Sequence, residues 1–290
     1  MPRLFSIDEW WKNFLIEQCI NFLKDIFADV NRVSQEIGSE LGKNPETFNS
    51  QIFNLLKNLS ENVVLPSAMY FVALIVVLNL CKSLLDDRER QNPVKLYTIF
   101  SITSVIAIIL TVHSFEIINM ILNLTQTIVD KSLLLFDNEN VNFAGNISGF
   151  EEALNGMEAS SIFGIWITLF ITNIIIWFVG ILAQIVILGR FIEIFMRISI
   201  APIPFATFFN KEFSNVGYNF VKSMGAVSLQ AVLIMVVIAI YKGILSSIAT
   251  DIGTEEQLSI FLIKILGINL TLIFMLFQTK RIADSILNVH

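Results

Sequence analysis

Arg190, Glu193 and Arg197 are the residues whose types and spacing first point to a task in this sequence. They stand at i, i+3 and i+7, on one face of a helix, with Glu193 able to pair with Arg197 four residues on. The 29 residues before Arg190, Ser161–Gly189, carry no charge. Pro202 and Pro204 follow the charged face, and each stops a regular helix. Such a group acts either as a stop-transfer charge cluster with a helix breaker or as a docking surface stiffened by the proline turn.

A second set of polar residues lies within apolar stretches. His113 and Glu116 are three apart, and Lys242 and Lys264 stand near the ends of two later stretches. Lysines so placed can snorkel to the interface along their apolar stems. The sharper reading is an outer polar layer in which Glu116 meets Lys242 or Lys264 and lines a vestibule. Asn173, Gln184, Gln230 and Asn269 also interrupt apolar runs and suit hydrogen bonds between helices.

Nothing in the sequence makes a reaction centre. Only His113 and His290 are histidines, and Cys19 and Cys81 lie far apart, so no metal-ligand spacing exists. There is no nucleophile–base pair, glycine-rich phosphate loop or intramembrane aspartate pair. The sequence predicts no enzyme and no cofactor.

The elements that must position these residues follow from composition. Of 290 residues, 54% are hydrophobic and 15% charged, where a soluble domain carries about 25%. A spanning helix needs about 20 apolar residues. Five segments meet that need: Val63–Leu85, Leu96–Leu122, Ser161–Gly189, Gly225–Ala249 and Leu258–Gln278. The reading is an all-α polytopic membrane protein in which residues 63–282 form a five-span domain. The third segment, about 44 Å at helical rise, overshoots one bilayer and must tilt or project.

Residues 1–62 differ in character and are read as an extracytoplasmic amphipathic helical region. Ile7, Trp11, Phe14, Phe22, Ile26, Val33 and Ile37 recur at helical spacing among charges, which predicts an amphipathic helix. Pro45 begins a second helix, with Phe48, Ile52, Leu55, Leu56 and Leu59 on its apolar side. Such helices either pack on protein or lie in the lipid interface.

Orientation follows from the bases between spans. Lys82, Arg88, Arg90 and Lys95 occupy the first connection, and Arg190, Arg197, Lys211 and Lys222 the third. The second connection, 123–160, holds Lys131 against six acids, and the fourth holds acids alone. Lys280 and Arg281 follow the last span. This predicts an N-terminus outside, an outside loop at 123–160, a cytoplasmic loop at 190–224 and a cytoplasmic tail at 283–290. Phe205, Phe208, Phe209, Phe213, Val216 and Phe220 then predict a helix in the inner interface. Net charge of −6 argues against the bulk surface holding nucleic acid.

The long uncharged helix, the R-x-x-E-x-x-x-R face, the A-P-I-P turn and the span beginning GYNFVKSMGAVSLQ together resemble a known family. It is that of the TrbL-like polytopic inner-membrane subunits of conjugative type IV secretion systems, in the form found in Gram-positive mobile elements. The resemblance is strongest over Arg190–Tyr241. It implies a channel or assembly subunit in the cytoplasmic membrane of a bacterium, working as a homo-oligomer with coupling and traffic ATPases. Such channels pass single-stranded DNA with its attached relaxase. It also implies that Arg190, Glu193, Arg197, Pro202 and Pro204 are the structural signature. The alternative on composition alone is a secondary transporter or permease component, although the two halves show no internal repeat.

Overall fold

A computed structural model describes residues 7–85, 93–136, 147–208, 210, 212–248 and 255–289. Among these residues every regular element is helical. In chain order they are α1 (Ile7–Leu41), α2 (Pro45–Phe48), α3 (Ser50–Leu59), a π turn (Ser60–Val64) and α4 (Leu65–Leu85). There follow α5 (Pro93–Val112), α6 (Ser114–Phe136), α7 (Ile147–Asn155), α8 (Ala159–Ile200), α9 (Pro202–Ala206), α10 (Ser214–Ile248) and α11 (Glu255–Ile286). Four uninterrupted helical stretches are long and apolar enough to cross a membrane: Ser50–Leu85, Ala159–Ile200, Ser214–Ile248 and Leu258–Ile286. A fifth crossing exists if the bent pair α5–α6 counts as one span.

The chain forms two compact units that share helices. The first comprises Met1–Glu40, Asp130–Ile187 and Leu233–Thr279. The second comprises Leu41–Val129, Leu188–Val232 and Lys280–His290.

In the first unit, α1 is an amphipathic helix as predicted, with Ile26, Val33 and Ile37 buried, but Trp11 and Phe14 of the predicted apolar face are exposed and Leu15, Cys19, Leu23 and Val30 are buried instead. The helix runs in the same direction as α8. Lys12 Nζ donates to the carbonyl of Asn155 just ahead of α8, Phe22 meets the rings of Trp166 and Phe170, and Val33 packs at Gly180. The outward faces of the two helices differ in kind. α8 exposes Phe163, Phe170, Ile171, Ile174, Trp177 and Phe178, whereas α1 exposes the aromatic residues Trp10, Trp11 and Phe14 in its first turns and beyond them Glu17, Asn21, Lys24, Asp25, Arg32, Gln35 and Ser39. The first is a lipid-grade surface and the second a polar stripe.

In the second unit the stretch after α1 is not the single helix predicted from Pro45. Pro45 does begin one, and Asn44 caps it by accepting from Thr47 N at 2.7 Å. After one turn Asn49 caps a new helix by accepting from Ile52 N at 3.0 Å. That helix, α3, runs through the π turn into α4, so the first span is a continuous helical stretch from Ser50. The π turn has a cause: Pro66 has no N–H to give the ladder, and Leu65 N–H bonds Ser60 O instead. Of the two settings predicted for the apolar side of α3, packing on protein or lying in lipid, the exposure of its residues fits the second. Phe53 is buried, while Ile52, Leu55 and Leu59 are exposed, as a lengthened span allows.

The second span departs from expectation as well. Instead of one straight helix over Leu96–Leu122, α5 and α6 bend by 63° at His113. Neither Pro nor Gly lies there. Thr111 Oγ donates to Ala107 O at 2.7 Å, and the polar pair His113–Glu116 stands at the corner. The predicted loop 123–160 is helical in α6 to Phe136 and again in α7, and residues 137–146 lie outside the described residues. The stretch 190–224 is also largely helical, through the end of α8, α9 and the start of α10. Arg88, Arg90 and Lys211 lie outside the described residues.

Candidate functional site: the charged face, the proline turn and the intramembrane cations

The end of α8 carries Arg190, Glu193 and Arg197 into the second unit. Arg197 Nη2 pairs with Glu193 Oε1, the i to i+4 contact that the spacing predicts. The other carboxylate oxygen, Oε2, accepts from Lys280 Nζ at 2.6 Å. Glu193 is thus the centre of a three-residue network that joins α8 to α11. Lys280 was legible only as a base after the last span, since no local spacing connects it to Glu193.

Arg190 lies on the same helix face but does not join that network. It is 7% exposed, and its Nε donates to the carbonyl of Val227 on α10 at 3.1 Å. Its guanidinium carbon stands 5.3 Å from the centroid of the Phe191 ring, which stacks on Phe48 at 3.9 Å. One guanidinium nitrogen of Arg190, Nη1, is buried without a hydrogen-bond partner, and so is Nη1 of Arg197.

Pro202 and Pro204 are buried. Pro202 occupies the first turn of α9, where a missing N–H costs nothing. The short helix packs against the π turn, α4 and α5, with Ala206 in a cluster with Ala68, Val72 and Ala107. Small side chains on every side let these backbones approach closely. The stretch beyond is not one helix: Val216 and Phe220 belong to the start of α10, Phe213 and Val216 are exposed, and Phe209 lies outside the described residues. Phe205 is buried and meets Phe208 at 5.3 Å and Phe220 at 6.1 Å, and Phe208 meets Tyr218 at 5.0 Å. Phe205, Phe208, Tyr218 and Phe220 close a tight corner between α9 and α10.

That corner is held by polar contacts the sequence did not reveal. Asn210 Nδ2 donates to Asn79 Oδ1 at 3.1 Å, and its Oδ1 accepts from Glu212 N and Phe213 N. Lys82 at the end of α4 pairs with Glu212.

The four other candidates are placed as follows. His113 Nδ1 and Glu116 Oε2 pair with each other at the α5–α6 bend, both largely exposed. Lys242 and Lys264 belong to the first unit. Lys264 is exposed on α11. Lys242 is 7% exposed and lines a cavity of about 440 Å³ with Ser34, Gln35 and Ser39. Among the described residues no group of three or more His, Cys, Asp or Glu could hold a metal ion.

The chain matches the family described as TrbL/VirB6 plasmid conjugal transfer like protein over residues 30–202. No curated protein and no solved structure matches it. The match spans more than half of the chain and takes in the last third of α1, the first span, the bent pair and all of α8. The family is one of structural membrane subunits. This chain therefore belongs to the TrbL/VirB6-like conjugal transfer family and is a membrane-embedded component of a conjugal transfer, type IV secretion complex.

Proposed function

We propose that the protein is a channel and assembly subunit through which single-stranded DNA, carrying its relaxase, crosses the cytoplasmic membrane of a Gram-positive donor. Several copies assemble, with the N-terminus outside and the C-terminus in the cytoplasm, and coupling and traffic ATPases drive transfer.

The observation that supports this reading is the pairing of α1 with α8. Two helices run side by side in the same direction, one exposing isoleucine, phenylalanine and tryptophan and the other, beyond the exposed Trp10, Trp11 and Phe14 of its first turns, asparagine and charge. Lipid suits the first face only, because charges at depth in hydrocarbon are costly. The polar stripe of α1 then faces water that neighbouring copies enclose. Its charges are of both signs, and Arg32 is paired with Asp29 and Glu36. A wall of that kind does not grip a polyanion, which a passage must release.

The test is deletion of the gene in a donor cell, scored by transfer of the mobile element and by growth. Transfer is abolished and growth is unchanged. Cysteines placed one at a time at Asn21, Asp25 and Ala28 react with a small impermeant thiol reagent in the assembled complex. Cysteines at Ile171 and Ile174 do not. Equal labelling of both helices, or transfer that survives deletion, removes the reading.

A further inference from the structure

Among the described residues Lys242 makes no hydrogen bond and no ion pair, although it is only 7% exposed. Other cations of the first unit are engaged or solvated. Arg32 pairs with Asp29 and Glu36, and Lys12 donates to the carbonyl of Asn155. Lys264 stands exposed on α11. A lysine that only snorkelled would carry its ammonium outward in that way. Lys242 instead lines a cavity of about 440 Å³.

The lining is of two kinds. Leu133, Met235 and Ile238 are apolar, while α1 brings Ser34, Gln35 and Ser39. Gln35 and Ser39 are exposed and belong to the polar stripe of α1, so the cavity opens on that stripe. Among the described residues none of α8, the lipid-grade helix, lines it. The serine hydroxyls donate within α1, to Val30 O at 2.7 Å and to Glu36 O at 2.9 Å. The Lys242 ammonium and the Gln35 amide remain as donors, and no acid among the lining residues meets them. The charge therefore selects an anion. The volume is that of a small-molecule site, more than a bare oxyanion fills, and the apolar wall asks for an apolar part as well. Each nucleotide of a single strand supplies both, a phosphodiester with one negative charge and a base whose face packs on side chains whatever its sequence.

We infer that the Lys242 cavity holds one nucleotide of the transported strand, its phosphodiester on Lys242 and Gln35 and its base against Leu133, Met235 and Ile238. The inference rests on the passage reading above and adds the point at which the strand touches the wall. One cation against one phosphate binds weakly, so the strand is steadied and still released, in keeping with the mixed charge of the stripe.

The test uses the full chain in dodecyl maltoside, a detergent without phosphate. Pyridoxal phosphate condenses with lysine amines to an imine, releasing water, and borohydride fixes the imine by giving it a hydride. Mass spectrometry then locates the modified lysines. Oligothymidylate slows modification of Lys242 severalfold and leaves Lys264 unchanged. Inorganic phosphate at the same phosphate concentration protects less, because it leaves the apolar wall bare. Equal protection by inorganic phosphate overturns the inference. So does protection by added phosphatidylglycerol but not by the oligonucleotide, which would make the ligand a lipid headgroup, or no protection at all. This measurement needs no substitution, so it stands whether or not a variant folds. In parallel, Lys242→Met weakens oligothymidylate binding about tenfold, as losing one hydrogen bond to a charged group does, and lowers the slope of log affinity against log salt by about 0.7. Lys242→Arg keeps most of both. Wild-type affinity and salt slope in Lys242→Met overturn the inference. That result leaves the passage reading intact, since deletion and mating test it, whereas transfer that survives deletion removes the passage reading whatever Lys242 binds.

Discussion

The Tyr241 hydroxyl donates to Asn269 Oδ1 at 2.7 Å and ties α10 to α11 inside the apolar layer of the first unit. Asn269 Nδ2 in turn donates to Ile265 O at 2.9 Å, which fixes the orientation of the amide. Tyr241→Phe therefore lowers stability in detergent by about 1 kcal/mol, the usual size of an interhelical hydrogen bond in membrane proteins. Asn269→Leu costs more, about 1–3 kcal/mol, because a buried hydroxyl is left unpaired. The double variant costs less than the sum. Unfolding by a denaturing detergent measures all three, and strict additivity would show that the bond contributes nothing.

Glu193 carries a second prediction. It is 15% exposed at the side chain and holds Arg197 and Lys280 together, while Arg197 already has one buried nitrogen unpaired. Glu193→Gln removes the charge that both cations need and destabilises the chain by about 1–3 kcal/mol. The figure is discounted from the 3–5 kcal/mol of a fully buried pair, because Lys280 is half exposed. Lys280→Met alone has a smaller effect. Thermal unfolding of the two single variants and the double variant gives the coupling. A Glu193→Gln protein as stable as the wild type would remove Glu193 as the centre of this network.

How much of this was legible in the sequence depends on the range of the interaction. Four of the five spans appear where apolar length places them, and α1 appears where its 3.6-residue period places it, since both are properties of contiguous residues. The pair Glu193–Arg197 was readable for the same reason. The bend at His113 was not, because no Pro or Gly announces it. The burial of Pro202 and Pro204 was also hidden. Two prolines after a charged face read as a helix breaker or as the stiff turn of a docking surface, and only the small residues Ala68 and Ala107, over a hundred positions earlier for the first, give that turn a place to pack. The Lys242 cavity depends on residues from three helices and no window shows it.

The two native cysteines offer a direct check on burial. Cys19 is fully buried in the core face of α1, whereas Cys81 is exposed near the end of α4. A maleimide reagent able to enter detergent micelles modifies the folded protein once, at Cys81, and twice after unfolding. Rapid modification of Cys19 in the folded state would show that α1 is not packed as described.

The last prediction concerns Gly217. A methyl group placed there would stand 2.8 Å from the carbonyl oxygen of Pro204 and 3.0 Å from the Phe208 ring. The first neighbour is backbone, held in the short helix that packs among α4, α5 and the π turn, so it cannot swing aside. Gly217→Ala must then push α10 away from the proline turn and loosen the aromatic corner of Phe205, Phe208 and Tyr218. Gly38 provides one comparison: its added methyl would meet only the tip of the Leu133 side chain, which can rotate away. Gly267 provides another, with nothing within 4 Å. Gly217→Ala lowers thermal stability by about 1–3 kcal/mol, the ordinary cost of overpacking. Gly38→Ala costs less than that. Gly267→Ala is neutral or stabilises by up to about 1 kcal/mol, as alanine does in a helix. The order of the three melting temperatures is the measurement. If Gly217→Ala melts with or above Gly267→Ala, the proline turn is not the tightly packed element that its buried side chains describe.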